Sequence, residues 1–147
     1  MYIPIMVDLF LRDIDKLAEE ISLYTDENKI WKVEGKILNS GGTLCLHLCG
    51  NLQHFIGAII GKSGYERNRD LEFSARNVSK ADLLLEIAKT KAIVETTIKN
   101  MHDVDLSQIY PVHKSGKEMN TAYMLQHLFG HLNYHLGQIN YHRRLVG

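Results

Sequence analysis

The sequence predicts an all-α protein, a four-helix bundle with one long crossover between its second and third helices. Two observations support this fold class. Apolar residues recur at spacings of three and four in four separate segments, and the connection between the second and third of these is too long for a tight helical hairpin. A chain of 147 residues can bury one core, so we expect a single domain over residues 1–147.

The first helix is predicted from an apolar stripe near the N-terminus. Its residues alternate in spacings of four and three: Ile3, Val7, Phe10, Ile14, Leu17, Ile21 and Tyr24. Such a stripe is the face that a helix turns towards a bundle core. Residues 25–42 are rich in turn-favouring types, and we interpret them as a connection with a short extended piece over residues 30–33.

The second helix is predicted to have Thr43 as its N-cap and to close near Gly61 and Gly64. Its stripe consists of Leu44, Leu48, Leu52, Phe55 and Ile59. Residues 61–78 are polar and charged. That length suits a crossover between helices that are not antiparallel neighbours, and function often resides in long loops.

The third and fourth helices follow this crossover. Ser79, with Asp82 three residues later, predicts the start of the third. Its stripe is Leu84, Ile87, Val94, Ile98 and Met101. The fourth is predicted to start near Asn120, with the stripe Leu125, Leu128, Leu132, Leu136 and Ile139. Arg143 and Arg144 in its last turn suit the helix dipole.

Composition excludes several classes of function. Basic and acidic residues balance at 17 each, so the chain lacks the basic excess of nucleic-acid-binding proteins. No apolar run approaches the roughly 20 residues that span a bilayer. Cys45 and Cys49 are four residues apart on a predicted helix, which fits disulfide geometry poorly. We therefore expect buried, free thiols and a cytoplasmic protein.

The placement of the eight histidines indicates a metal site. His131 and His135 are four apart on the fourth helix, so their imidazoles project side by side and one ion can bridge them. A third ligand must come from a facing helix, and His47 lies on the inner edge of the second, as His54 nearly does one heptad later. Three imidazoles around zinc, nickel or iron leave positions open, as in catalytic sites.

A simpler interpretation stands beside the metal site. A histidine on a helix is usually a partly buried polar residue that a carbonyl group satisfies, and histidines spaced by four also occur by chance. His102 and His113, in or beside a loop, are most simply surface residues. His127 and His142 continue the row on the fourth helix but lie one and two turns from its centre, so we exclude them as ligands.

Three segments carry a resemblance to a known family: LHLCGNLQHFIG at residues 46–57, RNRDLEF at 67–73 and HLNYHLGQI at 131–139. Together they resemble the DinB-like superfamily, and most closely its branch of small, formerly uncharacterised bacterial proteins. The resemblance implies a down-up-up-down four-helix bundle, commonly dimeric, with a divalent metal held by one histidine of the second helix and two of the fourth. The matching residues are His47, His131 and His135.

The resemblance also implies candidate reactions. Some members are transferases that use mycothiol, bacillithiol or glutathione, with the metal activating the thiol. A metal-dependent thiol S-transferase or hydrolase is therefore one functional expectation, with Asn51, Gln138 and Tyr134 able to hydrogen-bond near the site and Asn51 and Gln138 as candidate cofactor-binding residues. The other expectation is a non-catalytic, stress-related metal-binding or dimerisation module.

The crossover offers the nearest carboxylates. The fourth helix contains none, so a general base would have to come from Asp70 or Glu72. The simpler interpretation of both is that they are solvated loop charges paired with Arg67 or Arg69.

A homodimer is expected as well. The first helix is apolar beyond its stripe, at Ile5, Met6, Leu9 and Leu11. Surplus apolar surface of this kind, together with the resemblance, favours a two-fold symmetric dimer.

Overall fold

A computed structural model describes residues 1–112 and 116–147 of the chain. Its helices are α1 (Tyr2–Ser22), α2 (Gly41–Leu52), α3 (Arg69–Ser74), α4 (Lys80–Lys99) and α5 (Thr121–Val146). Two 3-10 turns (Glu27–Trp31 and Asp103–Ser107) and one π-helical turn (Gln53–Ala58) connect them. Within these ranges no strand forms beyond one isolated bridge between Ile109 and Asn120. The prediction of an all-α bundle is confirmed.

The second and third long helices, α2 and α4, run in the same direction. Gln53, just after α2, donates to Thr90 at 3.2 Å. Gly61, eight residues further along, faces Thr97, seven residues further along α4. Parallel neighbours need a long connection, and residues 61–79 provide it, with α3 inside it.

The first and last helices are parallel too. Asn133 donates to Asp13 at 3.0 Å, and Asn140 donates to Glu20 at 2.7 Å, so both helices advance together. In contrast, Gly41 at the start of α2 lies against His142 near the end of α5, and α2 is therefore antiparallel to α5. Two helices point one way and two the other, which is the expected down-up-up-down arrangement.

The core forms where the predicted stripes meet. Every residue of the α1 and α5 stripes is buried. In α4 the core residue is Leu83 rather than the predicted Leu84, which is only partly buried. The sequence could not decide between Leu83 and Leu84, because both leucines fit the helical period.

The prediction of an extended piece over residues 30–33 is wrong for its first half. Ile30 and Trp31 end a 3-10 turn whose N-cap, Asp26, accepts a hydrogen bond from the Asn28 amide at 2.9 Å. This turn buries both side chains. The Trp31 ring lies so close to Gly42 that a Cβ there would be 2.7 Å from it, so the packing requires a glycine.

The ends of α2 also differ from the prediction. Ser40, not Thr43, is the N-cap, and its hydroxyl accepts from the Thr43 amide at 3.1 Å. After Leu52 the helix widens into the π-helical turn, so Ile56 is fully buried while Phe55 and Ile59 are only partly buried.

Several other expectations can be compared directly. Cys45 and Cys49 are buried and free, as expected. The contact with Cys49 together with burial raises the pKa of the Cys45 thiol.

On α1, Met6 belongs to the core, whereas Ile5 is 49% exposed. None of the helices in the described ranges is long and apolar enough to cross a membrane.

Candidate metal centre

The three predicted histidines meet between α2 and α5. His47 lies in the middle of α2, and His131 and His135 occupy successive turns of α5. One ring nitrogen from each lies within 4.8 Å of the others. The Nε2 atoms of His47 and His131 are 3.2 Å apart. Among the described residues, this is the one group of histidine, cysteine and carboxylate side chains with metal-binding geometry.

Two of the imidazoles are oriented by hydrogen-bond contacts at Nδ1. His47 Nδ1 lies 3.1 Å from Glu72 Oε1, and His135 Nδ1 lies 2.7 Å from Gln138 Oε1. Both partner atoms are oxygens, so a proton on each Nδ1 completes a hydrogen bond and leaves the lone pair of Nε2 for a ligand. Such contacts fix the orientation and tautomer of metal-binding histidines.

The sequence named Glu72 as a possible general base but did not reveal its burial beside His47. It is 6% exposed, although we expected a solvated loop charge. The expected pairing with Arg67 is present, and the guanidinium donates to both carboxylate oxygens, at 2.8 and 2.9 Å. Burial raises the pKa of Glu72, but the bonds from His47 and Arg67 and the positive charge of Arg67 outweigh it, so the pKa is lowered.

The short helix α3 brings Glu72 to the site. Asn68 caps α3 by accepting from the Leu71 amide at 3.0 Å. Gly50 on α2 leaves room for the carboxylate, since a Cβ there would lie 1.9 Å from Glu72 Oε2. Gly50 was the one clue in the sequence, because a glycine in a helix can make room for another side chain. The sequence did not show that this side chain is Glu72.

The other residues that the sequence singled out differ in their distance from the histidine group and in their burial. Gln138 contacts His135, as described above. Asn51, one turn after His47, is 3% exposed, and its Oδ1 has no hydrogen-bond partner within the described ranges. The ring of Tyr134 packs edge-on against His135, with 5.2 Å between centroids. Asp70 lies exposed in the first turn of α3. A cofactor-binding role for Asn51 and Gln138 stays a prediction.

The other histidines of the described residues do not join the group. His142 is buried, with Nδ1 2.6 Å from the Tyr24 hydroxyl and Nε2 2.7 Å from the Lys32 carbonyl oxygen. It is thus the carbonyl-bonded core histidine of the simpler interpretation. His102 and His127 are exposed. His113 lies outside the described residues.

The donor set fits a divalent transition-metal ion. Two nitrogens bound to one tetrahedral ion at about 2.0–2.1 Å lie roughly 3.3 Å apart, close to the 3.2 Å between His47 and His131. Burial lowers the pKa of His135 more than its bond to Gln138 raises it, which keeps this imidazole available as a ligand at neutral pH. His47, His131 and His135 can therefore hold a metal ion.

A cavity of about 430 Å³ lies one helical turn from His135. Leu44 of α2, residues 36–39, and Gln138, Tyr141 and Leu145 of α5 are among its lining residues. Gln138 thus borders both the cavity and the histidine group. Asn51 does not line it, so the two candidate cofactor-binding residues do not share this cavity.

Fold and site together define the class: an all-α helical bundle with a histidine group that can hold a metal. A DinB-like protein from Bacillus cereus ATCC 10987, known from its crystal structure, is similar in fold, with a TM-score of 0.75, 17% sequence identity, and coverage of 95% of this chain and 89% of that one. The chain belongs to the family of proteins of unknown function DUF1572, whose profile matches residues 2–147. No curated protein matches it.

Proposed function

We propose that this protein binds one divalent transition-metal ion through His47, His131 and His135 and uses it to activate a small nucleophile, either a low-molecular-weight thiol or water. The observation that supports this most strongly is the convergence of three imidazoles, two of them held from behind at Nδ1. A divalent ion in such a site acts as a Lewis acid that lowers the pKa of a thiol or water bound to it.

The number of protein ligands favours chemistry over a purely structural ion. Structural zinc sites are usually closed by four protein ligands, whereas catalytic sites have three and keep a position open. No cysteine or carboxylate of the described residues completes the group of three histidines. Imidazole ligands accept zinc, nickel and iron alike, so we propose the class of metal and not its identity.

The surrounding side chains have separate roles in this proposal. Glu72 holds the Nδ1 proton of His47, and Arg67 balances the carboxylate charge. The ring of Phe73 packs on that of His47, with 4.8 Å between centroids, and shields it from water. Asn51 offers a buried amide oxygen that lacks a partner among the described residues and can accept a hydrogen bond from a bound molecule.

Metal content provides the first test. The protein should be purified without a nickel column and its metal measured by elemental analysis. We expect about one ion per chain and its loss in His47→Ala, His131→Ala and His135→Ala. His102→Ala is the matched control, because this side chain is 84% exposed. Full metal content in any of the three variants would remove that residue from the site.

The nucleophile is tested separately, by replacing the metal with cobalt. A thiol that enters the open position produces an intense charge-transfer absorption, whereas water does not. If bacillithiol, glutathione and simple thiols all leave the spectrum unchanged, the thiol-transferase proposal fails. A metal-loaded protein that also hydrolyses no test ester or amide would instead be the non-catalytic metal-binding module.

A further inference from the structure

The cavity of about 430 Å³ beside Gln138, here named the side cavity, has the size of a small-molecule site. Its walls come from three segments that are distant in sequence: residues 36–39, Leu44 of α2, and the part of α5 from Gln138 to Leu145. The proposed metal chemistry leaves this cavity without an occupant.

Apolar side chains form a large part of the wall of the side cavity. Leu38 and Leu145 are 87% and 72% exposed, and Tyr141 is 66% exposed. Single exposed apolar side chains are common, but several of them around one concave site indicate a binding surface. A ligand that fits this wall has an apolar body.

The charges around the side cavity are positive. Lys36 is the one lysine, arginine, aspartate or glutamate among its lining residues, and its ammonium group has no partner in the part of the chain that the structure describes. Arg144 lies nearby, with its guanidinium 5.6 Å from the centre of the Tyr141 ring. The nearest carboxylate along the chain, that of Glu34, is paired with Lys32 at 3.2 Å. The side cavity therefore attracts an anionic group.

Gln138 supplies the neutral hydrogen-bond donors that an anionic group needs. Its Oε1 lies 2.7 Å from His135 Nδ1, so the contact with His135 uses the oxygen and leaves Nε2, with its two hydrogens, for a ligand. Within residues 1–112 and 116–147, no protein group accepts a hydrogen bond from this nitrogen. One amide thus contacts the histidine group with its oxygen and offers donors to the side cavity with its nitrogen.

We propose that the side cavity binds a small organic acid that has an apolar body and one carboxylate, and that this carboxylate accepts hydrogen bonds from Lys36 Nζ and Gln138 Nε2. This binding needs no metal ion. That the bound acid is also the substrate of a metal-activated nucleophile rests on the proposed function, and Gln138, which contacts His135, is the link between the two sites.

A nuclear magnetic resonance titration of the isotope-labelled full chain with 3-phenylpropanoate tests the proposal. We expect saturable binding with a Kd below about 1 mM, and shifts of backbone amides that cluster at residues 36–39 and 138–145. The neutral 3-phenylpropanamide has the same shape and should bind about tenfold more weakly, because it lacks the charge-assisted hydrogen bond. Equal affinities of acid and amide, or shifts that cluster elsewhere, would overturn the proposal.

Lys36→Met keeps most of the aliphatic side chain and removes the charge. It should raise the Kd of the acid by about tenfold and leave that of the amide unchanged, whereas a merely structural role of Lys36 would affect both ligands. Lys16→Met, at an exposed position of α1, is the matched control and should change neither. An acid that binds Lys36→Met as tightly as the wild type contradicts the assigned carboxylate contact.

Leu38→Ser tests the apolar wall. It should weaken the binding of acid and amide alike, by about threefold, because both ligands lose the same apolar contact area. Leu85→Ser, at a position of α4 that is 58% exposed, is the matched control. Unchanged binding of both ligands to Leu38→Ser would refute the assignment of an apolar body to this wall.

His131→Ala separates the side cavity from the metal centre. Under the proposed function this variant lacks the ion, but His131 does not line the side cavity, so the Kd of the acid should stay the same. Loss of binding would mean that the carboxylate binds the ion instead, and the proposal would fail. If the wild type proves to hold no metal and still binds the acid, the side cavity stands while the proposed metal chemistry falls.

Discussion

Glu72 fixes the orientation of His47 through its contact with Nδ1, and its replacement should weaken the metal binding that we propose. Glu72→Gln keeps the shape of the side chain but removes the negative charge that faces His47 Nδ1 and Arg67. Loss of such a partner typically lowers metal affinity by about 10–100-fold. Competition with a chromophoric chelator measures the affinity.

Asp70→Asn is the control for this prediction. It removes a carboxylate from the same short helix at an exposed position. Its metal affinity should equal that of the wild type, and an equal affinity of Glu72→Gln would show that the buried carboxylate does not matter for binding.

Gly50→Ala should disturb the same contact from the other side. The new methyl group would lie 1.9 Å from Glu72 Oε2, so the carboxylate must move away from His47. We expect weaker metal binding and a free energy of unfolding lower by about 1–3 kcal/mol, as overpacking usually causes. Urea unfolding in the presence of a chelator separates the loss of stability from the loss of metal.

A double-mutant cycle checks the cause of that loss. In a Glu72→Ala background the methyl group no longer meets a carboxylate, so Gly50→Ala should cost clearly less. Equal costs in the two backgrounds would mean that the strain arises elsewhere in α2.

The helix α5 carries two of the three histidines, and its N-cap should contribute to the stability of the whole bundle. Asn120 accepts a hydrogen bond from the Tyr123 amide at 2.8 Å. Asn120→Ala removes this cap and should lower the free energy of unfolding by about 1 kcal/mol. Urea unfolding measures the change. Asn100→Ala, at an exposed position just after α4, is the comparison and should have a smaller effect.

Helices whose sequence and packing agree were predicted best. For α5 the apolar period, the cap at Asn120 and the buried stripe all coincide. The start of α2 was missed because Ser40 and Thr43 can both serve as caps, and the close packing of Trp31 on Gly42 in the first turn was not foreseen. That contact joins two separate segments, and no local pattern encodes it.

The same distinction applies to the histidine group. His131 and His135 are related by helical spacing, so their proximity follows from the sequence alone. To predict that His47 joins them, it was enough to choose the helix that faces the fourth helix. The burial of Glu72 depends instead on the docking of α3 against Gly50 of α2. The polar composition of the crossover that contains α3 suggested a solvated segment.

At the scale of the whole molecule, Glu20 joins α1 to α5 and should make stability depend on pH. Burial alone would raise the pKa of Glu20. Hydrogen bonds from Arg143 and Asn140, each 2.7 Å long, and the charge of Arg143 lower the pKa by more than burial raises it. The folded pKa therefore lies below the ordinary value of 4.5. The stabilisation is complete above that value and is lost as the pH falls through the folded pKa.

Urea unfolding between pH 5 and pH 3 provides the measurement for this effect. We expect the free energy of unfolding of the wild type to fall more steeply with acid than that of Glu20→Gln. Glu19→Gln is the control, because the neighbouring Glu19 is exposed and its carboxylate accepts from Lys16 at 3.0 Å. Parallel curves for wild type and Glu20→Gln would contradict the assignment.

The large sequence separation of the histidines also affects when the protein can acquire an ion. His47 precedes His135 by 88 positions, and Glu72 lies between them. During translation, which adds about 5–20 residues per second, a nascent chain exposes His47 several seconds before its α5 partners emerge from the ribosome. A growing polypeptide consequently has no group of three histidines, and the metal binding that we propose belongs to the time after α5 has docked.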